Sequence, residues 1–322
     1  MKLKFNEIVG NTTKEKFSYV VSDLNAYTHE LNENFIPKSA GSVRTFDGIT
    51  SIFSIKGRSY QLNLPNSTIQ FAASSDCTVV PSGLSSFNKV VVAMNPVQFT
   101  EDLCENTLES VWVSQYQSNA TIHDDITFAQ YWVDEKLTKI GVEMDKMFWQ
   151  GNLTGGTGNL ALVDGAVELL KKQSTRKKDL TASGLTVSTI LADVQKLFAL
   201  IPGEIADADD LYLFMAPEIF TNLQMALGAE FKYFMSPIEV RENGGFVSPY
   251  KYNVRILPTI GLTGTKNLVL AKKSNLIGLY GGEETNPDLR VIDMPWEMKI
   301  RLMSRFTMGV GIAYPEQFIT NF

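Results

Sequence analysis

The chain has 322 residues, which at about 150 residues per domain suggests two domains and allows a sizeable core without disulfides. Hydrophobic residues make up 44% and charged residues 20%, a composition that is typical of globular proteins and excludes a disordered chain. The 35 acidic residues outnumber the 29 basic ones, and the net charge of −6 argues against a dedicated nucleic-acid-binding protein.

The few cysteines and histidines exclude several kinds of site. Cys77 and Cys104 are too few for a disulfide scaffold or a four-thiolate zinc site. His29 and His123 lie far apart in the sequence and outside any zinc-binding spacing, so we expect no metal and no cofactor. Because the sequence has no secretory signal and no apolar run of about 18 residues, we expect a soluble protein from a reducing compartment.

Residues 1–37 predict an extended arm that carries a short amphipathic helix. The stretch is polar, but its apolar residues recur at helical spacing: Phe17, Val20, Val21, Leu24, Tyr27 and Leu31. A helix docked on the chain's own core is an equally open interpretation, because most amphipathic helices pack in that way.

Residues 49–64 predict a β-hairpin. An apolar run ends at the turn sequence Lys-Gly-Arg of residues 56–58, and Tyr60, Leu62 and Leu64 then alternate with polar residues. A lone hairpin is marginally stable in water, so we expect this one to pack on the rest of the chain or on another chain.

Two further elements are predicted after the hairpin. Residues 89–94 form a nearly continuous apolar run, which is typical of a buried strand. Thr100 is followed by two acidic residues, and this pattern predicts the start of a helix, because a hydroxyl caps a helix and acidic side chains favour its N-terminal end.

A long helix is the clearest element of the sequence. Its apolar residues are spaced 3, 4, 4, 3, 4 and 3 positions apart and share one face: Ile126, Ala129, Val133, Leu137, Ile140, Met144 and Met147. Charged residues, Asp145 among them, are assigned to the opposite face, where Glu135 and Lys139 form a favourable pair. We expect Gly151 to end this helix.

The second half of the chain predicts a mixed unit followed by strands. The predicted elements are a helix at 190–201, a strand at 211–215, a helix at 217–228, and strands at 268–270, 289–292, 297–302 and 306–312. This order predicts an α+β fold rather than a repeated βαβ unit.

Three groups of residues invite a chemical interpretation. The glycine-rich residues 151–159 lack a Gly-Lys-Ser/Thr sequence and follow a helix, so we interpret them as a mobile connector and not as a phosphate-binding loop. His123 with Asp125 suggests an acid–base pair, but Asp124 and Asp125 are explained more simply as helix caps. The basic cluster at 171–178 is interpreted as a solvated loop. We assign no catalytic residue.

Six segments carry a resemblance to a known family. In chain order they are 147–152, 211–217, 252–258, 267–271, 277–280 and 305–310. They resemble segments of the tailed-bacteriophage major capsid proteins with the Hong Kong 97-type fold. The first three resemble the end of the spine helix, the strand-to-helix step of the axial domain and the strand that follows. The fourth and fifth together resemble the return to the peripheral domain, and the sixth resembles the last sheet. The match is distributed from about residue 40 to the C-terminus.

The resemblance implies an α+β, Hong Kong 97-like capsid fold with an N-terminal arm, an extended β-hairpin loop, a long spine helix, and peripheral and axial domains. The implied boundaries are 1–37 for the arm, 38–88 for the loop, 89–174 with 265–322 for the peripheral domain, and 175–264 for the axial domain.

The resemblance also implies a structural, non-enzymatic function. Copies of the chain would form pentamers and hexamers of an icosahedral shell around packaged DNA, without sequence-specific binding and without a membrane. A separate scaffolding protein, a portal and decoration proteins are the further partners implied. Because the sequence starts at Met1, we expect a separate scaffold or none. The implied location is the virion, after synthesis in the cytoplasm of the host bacterium.

Contact residues are therefore the candidate site. They are large side chains of the hairpin and the arm: Phe53, Ile55, Arg58, Tyr60, Phe17 and Leu24. Two alternatives stay open, namely the shell of an encapsulin-type nanocompartment and a soluble enzyme that uses the glycine-rich loop with His123 and Asp125. Particle size and particle content distinguish these three functions.

Overall fold

The computed structural model describes residues 35–41, 43–68, 84–104, 128–173, 176–177, 184–231, 246–248, 253–282, 288–294, 296–297 and 299–322. Residues 1–34 of the predicted arm therefore lie outside the described residues, whereas residues 35–37 belong to a helix in which Ile36 is buried. The predictions that rest on single side chains outside the described residues concern Phe17, Leu24, His29, Cys77, His123, Asp124 and Asp125.

The described helices, in chain order, are α1 (Phe35–Gly41), α2 (Phe128–Gln150), α3 (Ala166–Lys172), α4 (Ile190–Phe198) and α5 (Pro217–Phe231). α2 is the long helix that the apolar spacing predicts, and its 23 residues give a rod of roughly 35 Å. The stripe residues Val133, Leu137, Met144 and Met147 are all buried. α5 continues past Gly228, so the predicted end of that helix is wrong by three residues.

The described strands are β1 (Thr50–Lys56), β2 (Ser59–Thr68), β3 (Leu84–Ala93), β4 (Asn95–Cys104), β5 (Arg176–Lys177), β6 (Leu211–Met215), β7 (Phe246–Val247), β8 (Val254–Pro258), β9 (Val269–Lys272), β10 (Leu276–Gly282), β11 (Asp288–Met294), β12 (Lys299–Ile312) and β13 (Ile319–Thr320). They form a five-stranded sheet, a six-stranded sheet and a two-stranded hairpin.

The five-stranded sheet is organised around β12. β10, β11 and β4 all pair with β12 in antiparallel fashion, and β1 adds to β10 in parallel. The first half of β12 alternates as predicted, with Ile300, Leu302 and Ser304 buried between more exposed neighbours. The two predicted C-terminal strands are therefore one long strand.

The helix predicted from Thr100 is wrong. Residues 95–104 form β4, which pairs along its whole length with β12, from Asn95 opposite Met308 to Cys104 opposite Lys299. Half-buried and exposed side chains alternate along its second half, which is the period of a strand. Pairing with β12 overrides a local capping signal that is worth about 1 kcal/mol.

The hairpin forms, but with another partner than predicted. β1 leaves for the five-stranded sheet, and β2 pairs with β3 from Ser59 opposite Ala93 to Thr68 opposite Leu84. Gly57, with a φ of +109°, redirects the chain between β1 and β2. β2 thereby pairs with β3 over ten residues, whereas β1 has only seven residues to offer. We call β2 and β3 the β2–β3 hairpin.

The six-stranded sheet has the order β5-β13-β9-β6-β8-β7. All five residues of its central strand β6 are buried. β9, predicted for the peripheral domain, pairs with β6, predicted for the axial domain. The predicted domain boundaries stay a prediction.

The C-terminal end of α2 enters the core shared by these elements. Phe148 and Trp149 are fully buried, with ring centroids 5.4 Å apart. The ring of Trp149 lies 4.9 Å from that of Phe214 in β6. The long helix is thereby fixed to the six-stranded sheet. In the described part of the chain, no helix combines the length and apolarity that crossing a membrane requires.

Candidate assembly surfaces

The β2–β3 hairpin has a packed face and an exposed face. On the packed face, Tyr60, Leu62, Leu64 and Val90 lie against a small core of six buried residues: Ile55, Val92, Met94, Ile277, Leu279 and Ala313. The hydroxyl of Tyr314 also donates to the carbonyl of Pro65 at 3.2 Å. The base of the hairpin is therefore attached to the five-stranded sheet of its own chain.

The opposite face of the hairpin presents large apolar side chains to solvent. Phe87 is 69% exposed and Val91 is 66% exposed, and the pairing register places them on one face with Gln61 and Lys89. Residues 89–93 therefore lie in a strand as predicted, and Met94 lies between β3 and β4. The predicted burial is wrong for one face of the strand, which is exposed at Val91. Grouped apolar side chains of this kind mark an interaction surface.

The four predicted hairpin contacts occupy different environments. Phe53 stacks on Tyr280 with ring centroids 5.6 Å apart, and Ile55 is buried in the small core, so both pack within their own chain. Arg58 is exposed and Tyr60 is half-buried. Contact of any of the four with another copy stays a prediction.

Sequence reasoning missed Phe87 as a surface residue. Residues 87–91 show no apolar/polar alternation, because each face of the strand mixes the two kinds of residue: Phe87, Lys89 and Val91 lie on one face, and Asn88 and Val90 on the other. The apolar run of residues 89–94 instead indicates a strand covered on both faces.

A second exposed aromatic residue lies between β11 and β12. Trp296 is 86% exposed, and the neighbouring strand residue Ile292 is 39% exposed. Tryptophan is enriched among the residues that contribute most to protein–protein binding. Trp296 is therefore a second candidate contact at the other end of the five-stranded sheet.

A cavity of about 230 Å³ lies between β4 and α2. Its apolar lining includes Val97, Phe99, Ile140 and Met147. The ion pair between Lys136 and Glu101, 2.6 Å long, connects the helix to the strand beside it.

Asp145 is buried, contrary to the prediction that it lies on the exposed face of the helix. It is 0% exposed, and its Oδ2 accepts the backbone N–H of Gly261 at 2.6 Å. Burial raises the pKa of Asp145 to about 7, although the Thr45 hydroxyl, the Gly261 N–H and the Trp149 indole lower it in part. The apolar stripe identified one buried face, whereas this end of α2 is covered on two. The predicted pair of Glu135 and Lys139 is confirmed at 2.6 Å.

The glycine-rich loop contains a hydrogen-bonded turn, and the mobility predicted for it stays a prediction. The Asn152 side-chain oxygen accepts the N–H groups of Thr154 and Gly155 at 3.0 and 2.8 Å. A Cβ at Gly156 would lie 2.5 Å from the backbone oxygen of Asn152, so this glycine permits a close approach. Its N–H groups are thus partly used within the loop itself.

The basic cluster is partly neutralised. Lys172 forms ion pairs with Asp164 at 3.2 Å and Glu168 at 3.6 Å, and the Asp164 carboxylate is the main cause of its raised pKa. Lys171 lies over the ring of Phe322, 5.9 Å from its centroid. Within the ranges that the structure describes, no group of three or more potential metal ligands occurs.

Comparison with solved structures identifies the fold. The chain matches the satellite phage P4 procapsid including the size determination (Sid) protein with a TM-score of 0.58 at 11% identity, over 88% of this chain and 97% of that chain. It matches the capsid of Myoviridae phage XM1 with a TM-score of 0.51 at 14% identity, over 86% and 90%. The chain has the fold of phage capsid proteins.

The capsid fold extends over nearly the whole of a third match. The virus-like particle from Pyrococcus furiosus has a TM-score of 0.50 at 10% identity, over 91% of this chain and 98% of that chain. No protein-family profile matches the sequence, and no curated protein matches it. The α+β capsid fold that the order of segments predicts is confirmed.

Proposed function

We propose that the chain is the major capsid protein of a tailed bacteriophage, and that its copies assemble into the icosahedral shell that encloses the phage DNA. The observation that carries this proposal is the extent of the structural match, which takes in 97% of the P4 procapsid chain. The fold as a whole, and not one module within it, corresponds to a shell subunit.

The β2–β3 hairpin supports assembly with copies of the same chain. Full burial of the exposed side chains of Phe87 and Val91 would contribute roughly 1.5–3 kcal/mol each to the free energy of association. Identical subunits around a rotation axis make head-to-tail contacts that close into rings, here pentamers and hexamers. Each subunit would cover the hairpin of its neighbour in such a ring.

The charge of the chain is compatible with a wall around DNA. A net charge of −6 gives no overall attraction for phosphates, so the shell would enclose DNA without a strong attraction for its backbone. We propose no sequence-specific binding. We propose a structural, non-enzymatic role in the virion after synthesis in the bacterial cytoplasm. A separate scaffolding protein, a portal and decoration proteins are the partners proposed beside further copies of the chain.

The proposal also assigns a role to each segment of the subunit. The arm of residues 1–37 and the loop of residues 38–88 would reach neighbouring subunits, the latter through the β2–β3 hairpin. The peripheral domain of residues 89–174 and 265–322 would carry the spine helix, and the axial domain of residues 175–264 would surround the symmetry axes. The contacts proposed on the arm are Phe17 and Leu24.

Expression of the full chain in bacteria, alone and with a candidate scaffolding protein, tests the function. Size-exclusion chromatography and negative-stain electron microscopy should show ring-shaped capsomers or closed shells. A chain that remains a monomer or small oligomer under both conditions contradicts the proposal. Particles isolated from infected cells that contain an enzyme cargo and no DNA support the nanocompartment alternative instead.

A further inference from the structure

The end of α2 holds a turn of the chain through a single glycine. Asp145 accepts the N–H of Gly261 at 2.6 Å, and the side-chain amide of Gln150 donates to the carbonyl of Gly261 at 2.6 Å. A Cβ at position 261 would lie 2.5 Å from Cδ1 of Trp149. The helix therefore binds both polar groups of this residue at a distance that only glycine allows.

This contact connects the helix to the six-stranded sheet. Gly261 belongs to the helical turn Ile260–Leu262, which directly follows β8. Thr259, just before the turn, donates its N–H to the carbonyl of Met215 in β6 at 2.9 Å. A displacement at Asp145 is thus passed to two neighbouring strands of that sheet.

The surroundings of Asp145 contain polar atoms that lack partners. Among the described residues, Oδ1 of Asp145, the hydroxyls of Thr45 and Tyr280, and the indole nitrogen of Trp149 are buried and lack a hydrogen bond of regular geometry, although the Thr45 hydroxyl and the Trp149 indole lie close enough to Asp145 to lower its pKa. Leaving such atoms unpaired costs about 1–3 kcal/mol each. The stability of this cluster therefore depends on whether the Asp145 carboxyl carries a proton.

Among the described residues, the groups that face Asp145 are polar but carry no positive charge. The turn Arg44–Asp47 presents the Thr45 hydroxyl, the turn Ile260–Leu262 presents the Gly261 N–H, and α2 itself presents the Trp149 indole. β10 contributes the titratable Tyr280, whose pKa burial and the Asp145 charge hold well above its usual value. An ionised Asp145 would thus be a buried charge with no cation among these described groups.

We propose that Asp145 is a proton-controlled joint, whose neutral carboxyl fixes α2 to the turn Ile260–Leu262 and whose ionisation loosens that contact. The neutral carboxyl keeps one oxygen to accept the Gly261 N–H and gains an O–H that a buried hydroxyl, of Thr45 or Tyr280, can accept. On ionisation the proton leaves to solvent. The Gly261 N–H favours the charged form, but the cost of burying the charge is larger, so the carboxylate draws water or displaces the turn. The raised pKa of Asp145, about 7, places this change near neutral pH.

The pH dependence of unfolding in the full chain tests the joint. The folded state holds the Asp145 proton more tightly than the unfolded state, so this stability is present at low pH and is lost as pH rises to about 7. The folding equilibrium constant of the wild type should fall roughly a hundredfold from pH 5 to pH 8 through this group. The assay needs urea titrations at a fixed protein concentration.

Two variants separate Asp145 from other titrating groups. Asp145→Asn keeps an oxygen that accepts the Gly261 N–H but does not titrate, so its profile should lose that hundredfold component. Asp134→Asn removes an exposed carboxylate of the same helix and should keep the wild-type profile. Parallel profiles for the wild type and Asp145→Asn would overturn the proposal.

Hydrogen exchange of the wild type gives a second test that needs no variant. Amides in residues 259–265 should lose protection between pH 6 and pH 8, after correction for intrinsic exchange, while amides of β12 keep theirs. Unchanged protection of residues 259–265 over this range would refute the joint, even if Asp145→Asn did not fold. Neither test depends on what the chain assembles into.

Discussion

Trp149 packs against Phe214 with ring centroids 4.9 Å apart, and this contact joins the end of the long helix to the central strand of the six-stranded sheet. Both side chains are fully buried. Trp149→Ala should therefore lower the free energy of unfolding by about 3–5 kcal/mol, because it opens a large cavity at the point where the two elements meet. Urea denaturation measures this loss.

Trp296→Ala is the matched control for that prediction. Trp296 is 86% exposed, and surface substitutions change stability by about 0.5 kcal/mol or less. If both tryptophan variants lost the same stability, the burial that we assign to Trp149 would be wrong.

The parallel pairing of β1 with β10 depends on a glycine. A Cβ on Gly281 would collide with the backbone of Ile55, and no side chain could yield to relieve this contact. Gly281→Ala should separate the two strands and reduce the yield of folded protein. Circular dichroism and limited proteolysis would detect the change. Gly203→Ala is the control, because a Cβ there meets no atom within 4 Å.

The exposed face of the β2–β3 hairpin should determine assembly. Phe87→Asp places a charge at the centre of the proposed contact and should abolish shells while the subunit stays folded. Asn88→Asp adds the same charge at the next residue, on the other face of the strand, and should retain more particles. Particle yield by electron microscopy distinguishes the two. Equal yields would remove Phe87 from the interface.

Tyr60 should affect assembly indirectly. Its side chain packs on the small core under the hairpin, so Tyr60→Ala should loosen the hairpin base and lower shell yield while the subunit stays soluble. Normal particles from this variant would count against a role of the hairpin in assembly.

At acidic pH, the free energy of unfolding should depend on another carboxylate of α2, that of Glu143. The hydrogen bond from Lys146 is the largest cause of the lowered pKa of Glu143. A lowered pKa in the folded state adds stability above the ordinary value of 4.5, and this stability is lost as pH falls through the folded value. Asp145 acts in the opposite direction, so the two carboxylates confine maximal stability to mildly acidic pH.

Glu143→Gln tests this assignment. The variant should unfold with a weaker dependence on pH below 4.5 than the wild type, with little change near pH 7 beyond the loss of one ion pair. An unchanged acid limb in urea denaturation would show that other carboxylates determine it.

The sequence predicts those elements whose pattern is repeated along one segment. The stripe from Val133 to Met147 recurs over four turns, so α2 is recognised without knowledge of its partners. β12 is recognised for the same reason from alternation around Ile300. The order of such elements predicts an α+β fold, and the capsid fold follows from the resemblance of six segments to those of capsid proteins.

What the sequence does not predict depends on distant partners. The interpretation of Thr100 as a cap fails because β12, about two hundred residues later, recruits that segment as a strand. Asp145 is buried because the turn at Gly261 and the turn that carries Thr45 cover it, and helical spacing contains no information on those turns. The same limit applies to the choice of β3 over β1 as partner of β2.

The parallel ladder between Thr50 and Ile277 has a consequence for synthesis. The platform beneath the hairpin is built from late residues, among them Leu279 and Ala313, so a polypeptide still emerging from the ribosome has no finished base for it. Fragments from interrupted translation thus cannot present a properly supported hairpin to complete subunits. In the proposed shell, this topology would admit only subunits whose C-terminal strands have been synthesised.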